Sequence, residues 1–486
     1  MSLSTLAPSG LWQWFETICR IPHPSKHELA LRDHIAQWAQ QQGLETHIDA
    51  VGNLIIRKAA SAGMENRQGV VLQAHLDMVP QKNSDTEHNF ETDPIQPYID
   101  GEWVTATGTT LGADNGIGMA SALAILADNS ISHGPLEVLL TIDEETGMTG
   151  AFGLEPGVLQ GNMLINTDSE QEGEIYMGCA GGVDASVTLP MSQQPIPADH
   201  ITTTIAITGL KGGHSGCDIN LGRGNANKVL ARFLFGHAEE LALQVVSING
   251  GSLRNAIPRE AWATVAVPSA NLPELTRLCA HYQQMVNQDL GAVENPISVQ
   301  LVEAEAATLV MQSSVQKTLL AMLHAAPNGV IRMSDHFPGV VETSVNLGVV
   351  TTESDHIAVS FLIRSTSDSG RRMTENMVKA LAQLAGAQCE LSGAYPGWQP
   401  NPQSPLMHTV QATYQRLFDT QPSIQVIHAG LECGLFKKPY PMMDMVSIGP
   451  TIRFPHSPDE KVEIASVAKY WQLLLAILSD VPTQAA

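Results

Sequence analysis

The segment VVLQAHLDMVPQ, residues Val70–Gln81, joins a run of strand-forming apolar residues to an abrupt polar end. The run stops at His75, and Asp77 follows two residues later. Side chains alternate across a strand, so the imidazole and the carboxylate point the same way. A carboxylate behind a histidine commonly orients a metal ligand. We therefore expect a buried strand that ends at a metal or catalytic site.

Around this strand, the first 186 residues alternate between strand-like and helical patterns. Strands are predicted within 46–58, 69–77, 136–143 and 163–168, and helices over 4–19, 26–42 and 119–128. Several of the strands are almost continuously apolar, as expected where helices cover both faces of a sheet. The pattern predicts an α/β domain with a mixed sheet covered by helices.

Residues 187–395 follow a different rhythm, which predicts an inserted α+β lid domain. Strands near 202–210, 241–248, 261–267 and 297–304, with helices near 226–239 and 272–286, give a split β-α-β-β-α-β unit. The elements up to 395 partly repeat this order, so we predict a duplicated lid. The proline-rich stretch 395–405 ends it, and residues 396–486 are predicted to rejoin the first domain, with SIQVIHAGLECGLF as a strand entering a glycine-rich loop.

Composition excludes some classes of function. With 26 Lys and Arg against 49 Asp and Glu, the net charge is −23. That acidity argues against nucleic acids, which need a cationic face, and against anionic membrane surfaces. The six cysteines form no C-x-x-C pair and are expected to be reduced thiols. No signal peptide or bilayer-spanning apolar run is recognised, so a cytoplasmic location is expected.

Histidines and carboxylates recur where predicted strands end or loops enter helices. Six of them are candidate site residues: His75, Asp114, Glu144, Glu145, Asp168 and His456. Ligands bind beyond the carboxyl ends of strands in α/β sheets, so we expect these side chains to converge. Each alone also fits a structural role, such as a core histidine, a helix cap or a solvated turn. Ligand-type residues on five separate segments favour a metal site.

The ligand chemistry suggests two metal ions. Mixed nitrogen and oxygen ligands suit zinc, and cobalt or manganese would also fit. Two histidines with Asp114, Glu145 and Asp168 exceed the roughly three protein ligands of one catalytic zinc. They suffice for two ions that share a carboxylate. Two such ions can activate a water and polarise a carbonyl, and Glu144 is the candidate general base.

The segments HLDMVP, LGADNGIG, DEETG, NTDSE and FPHSPDE occur in the order used by one enzyme family. They resemble the dinuclear zinc peptidases of the aminoacylase–carnosinase–carboxypeptidase G2 group, over essentially the whole chain. The resemblance implies a zinc-peptidase catalytic domain with two Zn²⁺ ions. It places His75 and Asp168 on one ion, Glu145 and His456 on the other, and Asp114 between them.

The same resemblance assigns the remaining roles. Asp77 would orient the first histidine ligand, and Glu144 would act as general base. In GLKGGHSG, His214 matches the lid histidine that stabilises the oxyanion, and a partner subunit supplies this histidine in relatives with a shorter lid. Asn255 in LRNAIP and Arg364 in FLIRS match the binders of the substrate carboxylate. These three also have structural alternatives: a loop histidine, a turn residue and a structural ion pair.

The chain departs from the family at AGLECG, where relatives commonly carry a Gly-Gly-Thr type loop. Its Glu432 would either contact the substrate or serve the structure. The resemblance implies a dipeptidase for Xaa-His, β-Ala-His and other small dipeptides, with a homodimer possible. Two alternatives stay open: an N-acyl amino acid deacylase with the same metals, and a metal-binding protein without catalysis.

Overall fold

The computed structural model describes residues 3–484. Contacts divide them into two units. The first comprises the residues up to Cys179, Trp398–Val426 and the chain from Leu431 onward; the second comprises Ala180–Gly397 and Ile427–Gly430. The sequence pattern predicted the corresponding borders at residues 187 and 396. No helix among residues 3–484 combines the length and apolarity needed to cross a bilayer.

The first part of the chain supplies five helices and eight strands of the first unit. The helices are α1 (Ser9–Arg20), α2 (Leu29–Gln41), α3 (Ala113–Ala127), α4 (Glu144–Gly147) and α5 (Thr149–Gly153). The strands are β1 (Glu45–Ile48), β2 (Leu54–Lys58), β3 (Val70–His75), β4 (Pro97–Asp100), β5 (Trp103–Ala106), β6 (Leu136–Thr141), β7 (Met163–Asn166) and β8 (Glu174–Cys179).

The second unit and the returning tail contain the other elements. The second unit has strands β9 (Gly181–Pro190), β10 (Gln193–Pro195), β11 (His200–Thr208), β12 (Gly213–His214), β13 (Gln244–Gly250), β14 (Ala256–Ile257), β15 (Ala261–Pro268), β16 (Ser298–Glu303), β17 (Leu309–Met311), β18 (Gly329–Met333), β19 (Val341–Thr352), β20 (His356–Ser365) and β21 (Gln388–Tyr395). Its helices are α6 (Ala226–His237), α7 (Leu272–Leu290), α8 (Ser313–Ala325) and α9 (Asp368–Leu384). The tail contains α10 (Pro405–Phe418), β22 (Ser423–Ile427), α11 (Glu432–Phe436), β23 (Asp444–Ser447), β24 (Ile452–Arg453), β25 (Lys461–Glu463) and α12 (Ile464–Asp480).

An eight-stranded mixed sheet forms the centre of the first unit, in the order β1-β2-β6-β3-β7-β23-β8-β22. Strands β6, β3, β7 and β23 run parallel to one another, whereas β1, β2 and β8 pair antiparallel. Every residue of β3, β6 and β7 is buried, which explains their largely apolar sequences. The four parallel strands bring their carboxyl ends to the same edge of the sheet.

The second unit contains a nine-stranded antiparallel sheet, with the main path β16-β11-β15-β13-β19-β20-β9-β21. The elements β11-α6-β13-β15-α7-β16 form one half, and β9-α8-β19-β20-α9-β21 form the other. In each half the strands lie in the order fourth, first, third, second, which is the split β-α-β-β-α-β arrangement. The halves join where β13 meets β19, so one half is inserted in sequence between β9 and α8 of the other.

Two predicted helix starts were wrong, each for a local reason. Helix α1 begins at Ser9 instead of residue 4. Helical dihedrals are unfavourable for Ala7, because it precedes Pro8. A separate 3-10 turn occupies Leu3–Thr5. Helix α2 begins at Leu29 instead of residue 26, because Lys26 has a φ of 71°, in the left-handed region.

Two further differences concern short elements. The hairpin β4–β5 was missed, since its strands have four residues each and mix polar with apolar side chains. It joins β24 and β25 in a four-stranded antiparallel sheet. The glycine-rich loop predicted after β22 was wrong in part, because the ECGLF stretch forms helix α11.

Candidate active site

Four candidate residues lie just beyond the parallel strands of the first unit. His75 is the last residue of β3, and Asp168 follows β7 by two residues. Glu144 and Glu145 open α4, shortly after β6. Because β3, β6 and β7 are parallel neighbours, their ends deliver these side chains to one edge of the sheet, where α/β proteins bind ligands.

The start of α3 and one loop bring the remaining members of the cluster. Asp114 lies at the start of α3, and His456 lies between β24 and β25 with a φ of 60°. Nε2 of His75 is 3.1 Å from Oδ1 of Asp114 and 3.3 Å from Oδ1 of Asp168. Nε2 of His456 is 3.3 Å from Oδ2 of Asp114 and 3.1 Å from Oε1 of Glu145. The two carboxylate oxygens of Asp114 therefore face different histidines.

The ligand atoms fall into groups of the size that a metal ion requires. One group is His75, Asp114 and Asp168, and another is Asp114, Glu145 and His456; in each, the atoms lie within 4.8 Å of one another. A third group joins His75 with both glutamates of α4. The structure thus brings together all six candidate residues of this region, and Asp114 is common to the first two groups.

The contacts of Asp77 define the state of His75. Nδ1 of His75 lies 2.8 Å from the backbone oxygen of Asp77. A carbonyl oxygen can only accept, so Nδ1 donates, and Nε2 presents its lone pair in the neutral ring. The Asp77 carboxylate accepts bonds from the N–H of Glu144 at 2.9 Å, the N–H of Glu145 at 3.2 Å and Oγ of Ser25 at 2.8 Å. Asp77 thus makes contacts both with the end of β3 at His75 and with the start of α4.

The cluster has the properties of a cation site. Burial opposes the charged form of His75, but the carboxylates of Asp168 and Asp114 raise its pKa well above the usual value, so Nε2 of His75 holds a proton wherever no metal ion takes that place. Within residues 3–484, the ion pairs of Asp114, Glu145 and Asp168 run only to His75 and His456. Lysine and arginine therefore do not neutralise these acids, and the donor set fits divalent metal ions.

Three further observations support this fit. Oε1 of Glu145 is buried and forms no well-aligned hydrogen bond with residues 3–484, although Nε2 of His456 lies 3.1 Å away. Burial, together with Asp114, raises the pKa of Asp168 to about 7. The carboxylates of Asp114 and Glu145 raise the pKa of His456 to about 11. Without a metal, the cluster therefore retains protons that a divalent ion would displace.

A second polar cluster lies within the inserted unit. The side chain of Arg364 is buried, with 6% exposure. Its Nη1 donates to the hydroxyl of Tyr395 at 3.1 Å, and its Nη2 lies 3.4 Å from Nε2 of His214. Its Nε has no hydrogen-bond partner among residues 3–484. Nor does that part of the chain form an ion pair with Arg364, so the structural ion pair considered as an alternative is not observed.

The proton of His214 can be placed from its neighbours. Nδ1 accepts from the N–H groups of Gly216 at 3.2 Å and Cys217 at 3.0 Å. Burial and Arg364 lower the pKa of His214, so the ring is neutral with its proton on Nε2. Nε2–H and Nη2 of Arg364 are then two donors that face one another. This arrangement suits anionic groups that accept from these donors.

Two other residues border this second cluster. Asn255 is exposed, and its backbone oxygen accepts from the N–H of Ser215, which holds it beside His214. His428, which the sequence analysis did not select, is buried and has its Nε2 2.7 Å from Oγ of Ser344. Burial, and then Arg364, lower the pKa of His428 to about 3. This ring therefore adds no positive charge to the cluster.

Glu432 lies in the first unit and is fully buried, with 0% exposure. Its Oε2 accepts from Nε2 of Gln73 at 2.6 Å and from Oγ1 of Thr141 at 2.9 Å. Burial raises its pKa to about 8. Of the two roles left open for Glu432, these contacts favour the structural one, and a substrate contact stays a prediction.

Sequence reasoning missed the hydrogen-bond network that contains Glu432. Oε1 of Gln73 accepts from Nδ2 of Asn166 at 2.6 Å, and Oδ1 of Asn166 accepts from Oγ of Ser447 and from the N–H of Asp168 at 3.3 Å. Gln73, Asn166 and Ser447 stand at or near the ends of β3, β7 and β23. A polar residue near the end of each apolar strand was the available signal.

Comparisons with known proteins agree on one family. Residues 71–480 match peptidase family M20/M25/M40. The chain is 58% identical over 484 residues to the cytosol non-specific dipeptidase of Escherichia coli strain K12, an alignment that covers 99% of each chain. The crystal structure of aminoacylhistidine dipeptidase from Vibrio alginolyticus aligns with a TM-score of 0.95 at 58% identity, over 100% of this chain and 99% of that one.

A more distant structure shows only that the fold is shared. Aminopeptidase PepT from Bacillus cereus aligns with a TM-score of 0.56 at 15% identity, over 98% of this chain and 99% of that one. At this identity the likeness extends to the path of the chain and carries no statement about substrate. The two relatives at 58% identity are therefore the ones that bear on chemistry.

Proposed function

Because the chain belongs to peptidase family M20/M25/M40, we propose that it is a metal-dependent dipeptidase that cleaves Xaa-His and other small dipeptides. Membership confirms the family resemblance that the five sequence motifs indicated, and the mixed α/β fold agrees with it. The names of the two relatives at 58% identity, a non-specific dipeptidase and an aminoacylhistidine dipeptidase, support the substrate class. The first name also supports a cytoplasmic location. β-Ala-His is a proposed substrate, and a homodimer stays a prediction.

The position of Asp114 carries the proposal of two zinc ions. Its Oδ1 faces His75 at 3.1 Å and its Oδ2 faces His456 at 3.3 Å, so one carboxylate can bridge two ions. His75 and Asp168 would hold one ion, and Glu145 and His456 would hold the other. When bound, the two ions would lower the pKa of a water molecule and polarise the scissile carbonyl.

Glu144 is proposed as the general base. It opens α4 beside Glu145, and Asp77 fixes its backbone through the 2.9 Å bond to its N–H. Its carboxylate shares a group with His75 and Glu145 whose ligand atoms lie within 4.8 Å. In this role it accepts a proton from the attacking water and later donates it to the leaving amine.

The inserted unit is proposed to recognise the substrate's charge. Arg364 binds the terminal carboxylate, because its buried guanidinium has an unpartnered Nε and no ion pair within residues 3–484. The exposed side chain of Asn255 contributes a further hydrogen bond to that carboxylate. His214 donates its Nε2 proton to the oxyanion that develops on the scissile carbonyl.

Metal removal tests the proposed function. After dialysis against a chelator, the protein is expected to lose hydrolysis of Ala-His and to regain it with Zn²⁺, Co²⁺ or Mn²⁺. The metal-loaded protein is not expected to cleave N-acetyl-histidine. Undiminished cleavage of Ala-His by metal-free protein would refute the proposal. Faster cleavage of N-acetyl-histidine than of Ala-His would instead identify a deacylase.

The variant Glu144→Gln separates catalysis from metal binding. It keeps the size of the side chain but cannot accept the proton, so kcat should fall by about 10²–10⁴-fold. Zinc content after dialysis should remain that of the unmodified protein. Unchanged kcat would show that Glu144 is not the base, and loss of zinc would show that it acts as a ligand.

A further inference from the structure

Glu460 stands out among the acidic residues that the proposed mechanism does not use. Its side chain is buried, with 2% exposure, and it lies four residues after His456. Both of its carboxylate oxygens accept backbone bonds. Oε2 accepts from the N–H groups of Leu111 at 2.7 Å and Gly112 at 3.0 Å.

The other oxygen completes the arrangement. Oε1 of Glu460 accepts from the N–H groups of Ala113 at 2.8 Å and Asp114 at 3.2 Å. Four consecutive N–H groups, from Leu111 to Asp114, thus converge on a single carboxylate. They include the first N–H groups of α3, which have no partner within the helix. Gly112, at the N-cap position, has no side chain that could serve instead.

The backbone of Glu460 is also fixed. Its N–H donates to the backbone oxygen of Ser457 at 2.9 Å, which closes the turn that follows His456. Its backbone oxygen accepts from Oγ1 of Thr105 at 2.8 Å, and β25 begins at the next residue and pairs with β5. One residue therefore connects the loop that carries His456 to the segment that carries Asp114.

We propose that Glu460 is a positioning residue that sets the spacing between Asp114 and His456. This spacing allows these two residues to form one group of metal ligands with Glu145. The inference rests on the proposed two-metal function. Glu460 does not act as a ligand in this account, because four N–H bonds occupy its oxygens. Its effect reaches the metal only through the backbone of the segment from Leu111 to Asp114.

The geometry makes a specific prediction for Glu460→Gln. An amide has one acceptor oxygen, and its NH₂ group cannot accept from the second pair of N–H groups. The segment from Leu111 to Asp114 should then shift relative to the loop of His456. Glu460→Asp keeps the charge on an arm shorter by one methylene, so it should also fail to reach both pairs. Asp459→Asn is the matched control, because it removes an exposed carboxylate from the same turn.

The measurement is zinc binding to the full-length protein by competition with a chromophoric chelator. Unmodified protein is expected to bind two ions. In Glu460→Gln one of the two should bind about 10–100-fold more weakly, the range found when residues behind metal ligands are changed, and Asp459→Asn should match the unmodified protein. Excess zinc should restore much of the lost kcat for Ala-His, whereas KM should change little, since substrate-binding groups are untouched.

Each outcome of this experiment has a defined interpretation. Two ions bound with unmodified affinity in Glu460→Gln, or an equal loss in Asp459→Asn, would overturn the inference while leaving the proposed function intact. Failure of the unmodified protein to bind two ions would overturn the proposed function first. If Glu460→Gln does not fold, as judged by circular dichroism, Glu460→Asp decides: folded protein with weakened zinc binding supports positioning, and folded protein with unmodified zinc binding refutes it.

Discussion

Replacing Arg364 by methionine should separate substrate recognition from stability. Arg364 is 6% exposed, and the Nε of its guanidinium has no hydrogen-bond partner among residues 3–484. The proposed ligand is the terminal carboxylate of a dipeptide. Methionine fills a similar volume without the charge, so Arg364→Met removes the proposed anion contact while leaving an apolar side chain in its place.

The expected magnitude follows from the two hydrogen bonds that a guanidinium offers to a carboxylate. Each bond to a charged group contributes about 1.5–3 kcal/mol, so losing both would cost about 3–6 kcal/mol. This corresponds to a decrease of about 10²–10⁴-fold in kcat/KM. Stability should change in the opposite direction. Burying a charge that has no acidic partner is costly, so the free energy of unfolding without substrate should rise in Arg364→Met.

Two substrates distinguish a lost contact from general damage. The unmodified protein should cleave Ala-His much faster than Ala-histidinamide, which lacks the carboxylate, and Arg364→Met should lose this preference. Arg372→Met, at an exposed position on α9, is the matched control and should keep it. Urea unfolding at about pH 7 gives the stability. A preference for Ala-His that survives in Arg364→Met, or a variant much less stable than the unmodified protein, would refute the reasoning.

Two other predictions concern His428 and Asp77. Because burial lowers the folded-state pKa of His428 to about 3, below about 6.5 in the unfolded chain, its neutral form contributes stability that is lost as pH falls from about 6.5 towards about 3. Between about pH 7 and 4.5 this loss amounts to about 2–3 kcal/mol of the free energy of unfolding. Urea unfolding should therefore show that His428→Gln loses less stability on acidification than the unmodified protein. An identical loss in the two proteins would contradict this prediction. Asp77→Asn should weaken zinc binding by about 10–100-fold, measured by chelator competition, and unchanged affinity would show that Asp77 does not orient His75.

The part of the site that sequence predicted best is the part carried by parallel strands. β3 and β7 are buried and largely apolar along their length, so His75 and Asp168 were conspicuous where each pattern stops. Once the strands are parallel neighbours, the meeting of their ends follows from sheet geometry. Asp114 comes from the start of α3 and His456 from a loop, and the prediction that they join the cluster rested on ligand type and on the family motifs.

Contacts between backbone groups and side chains distant in sequence could not be predicted. Glu460 bonds to N–H groups 346–349 residues earlier in the chain, and every residue except proline carries such an N–H. The sequence LGAD, residues Leu111 to Asp114, therefore does not reveal which carboxylate accepts hydrogen bonds from its N–H groups. His428 is a similar case, since its low pKa results from burial near Arg364, which only the folded chain defines.

The two polar clusters, each described within its own unit, need ligands of opposite charge, and under the proposed function this bears on the class of substrate. In the first unit, the ion pairs of the clustered carboxylates run only to histidines within residues 3–484, so a cation is required. In the inserted unit, Arg364 has no acidic partner within the same range, so an anion is required. Buried charges of this kind are costly unless a ligand completes them. A dipeptide and an N-acyl amino acid both offer a scissile carbonyl and a terminal carboxylate, so neither cluster distinguishes them. The free amine is the group that differs, and the comparison of Ala-His with N-acetyl-histidine therefore tests the one feature of the substrate that these charges leave open.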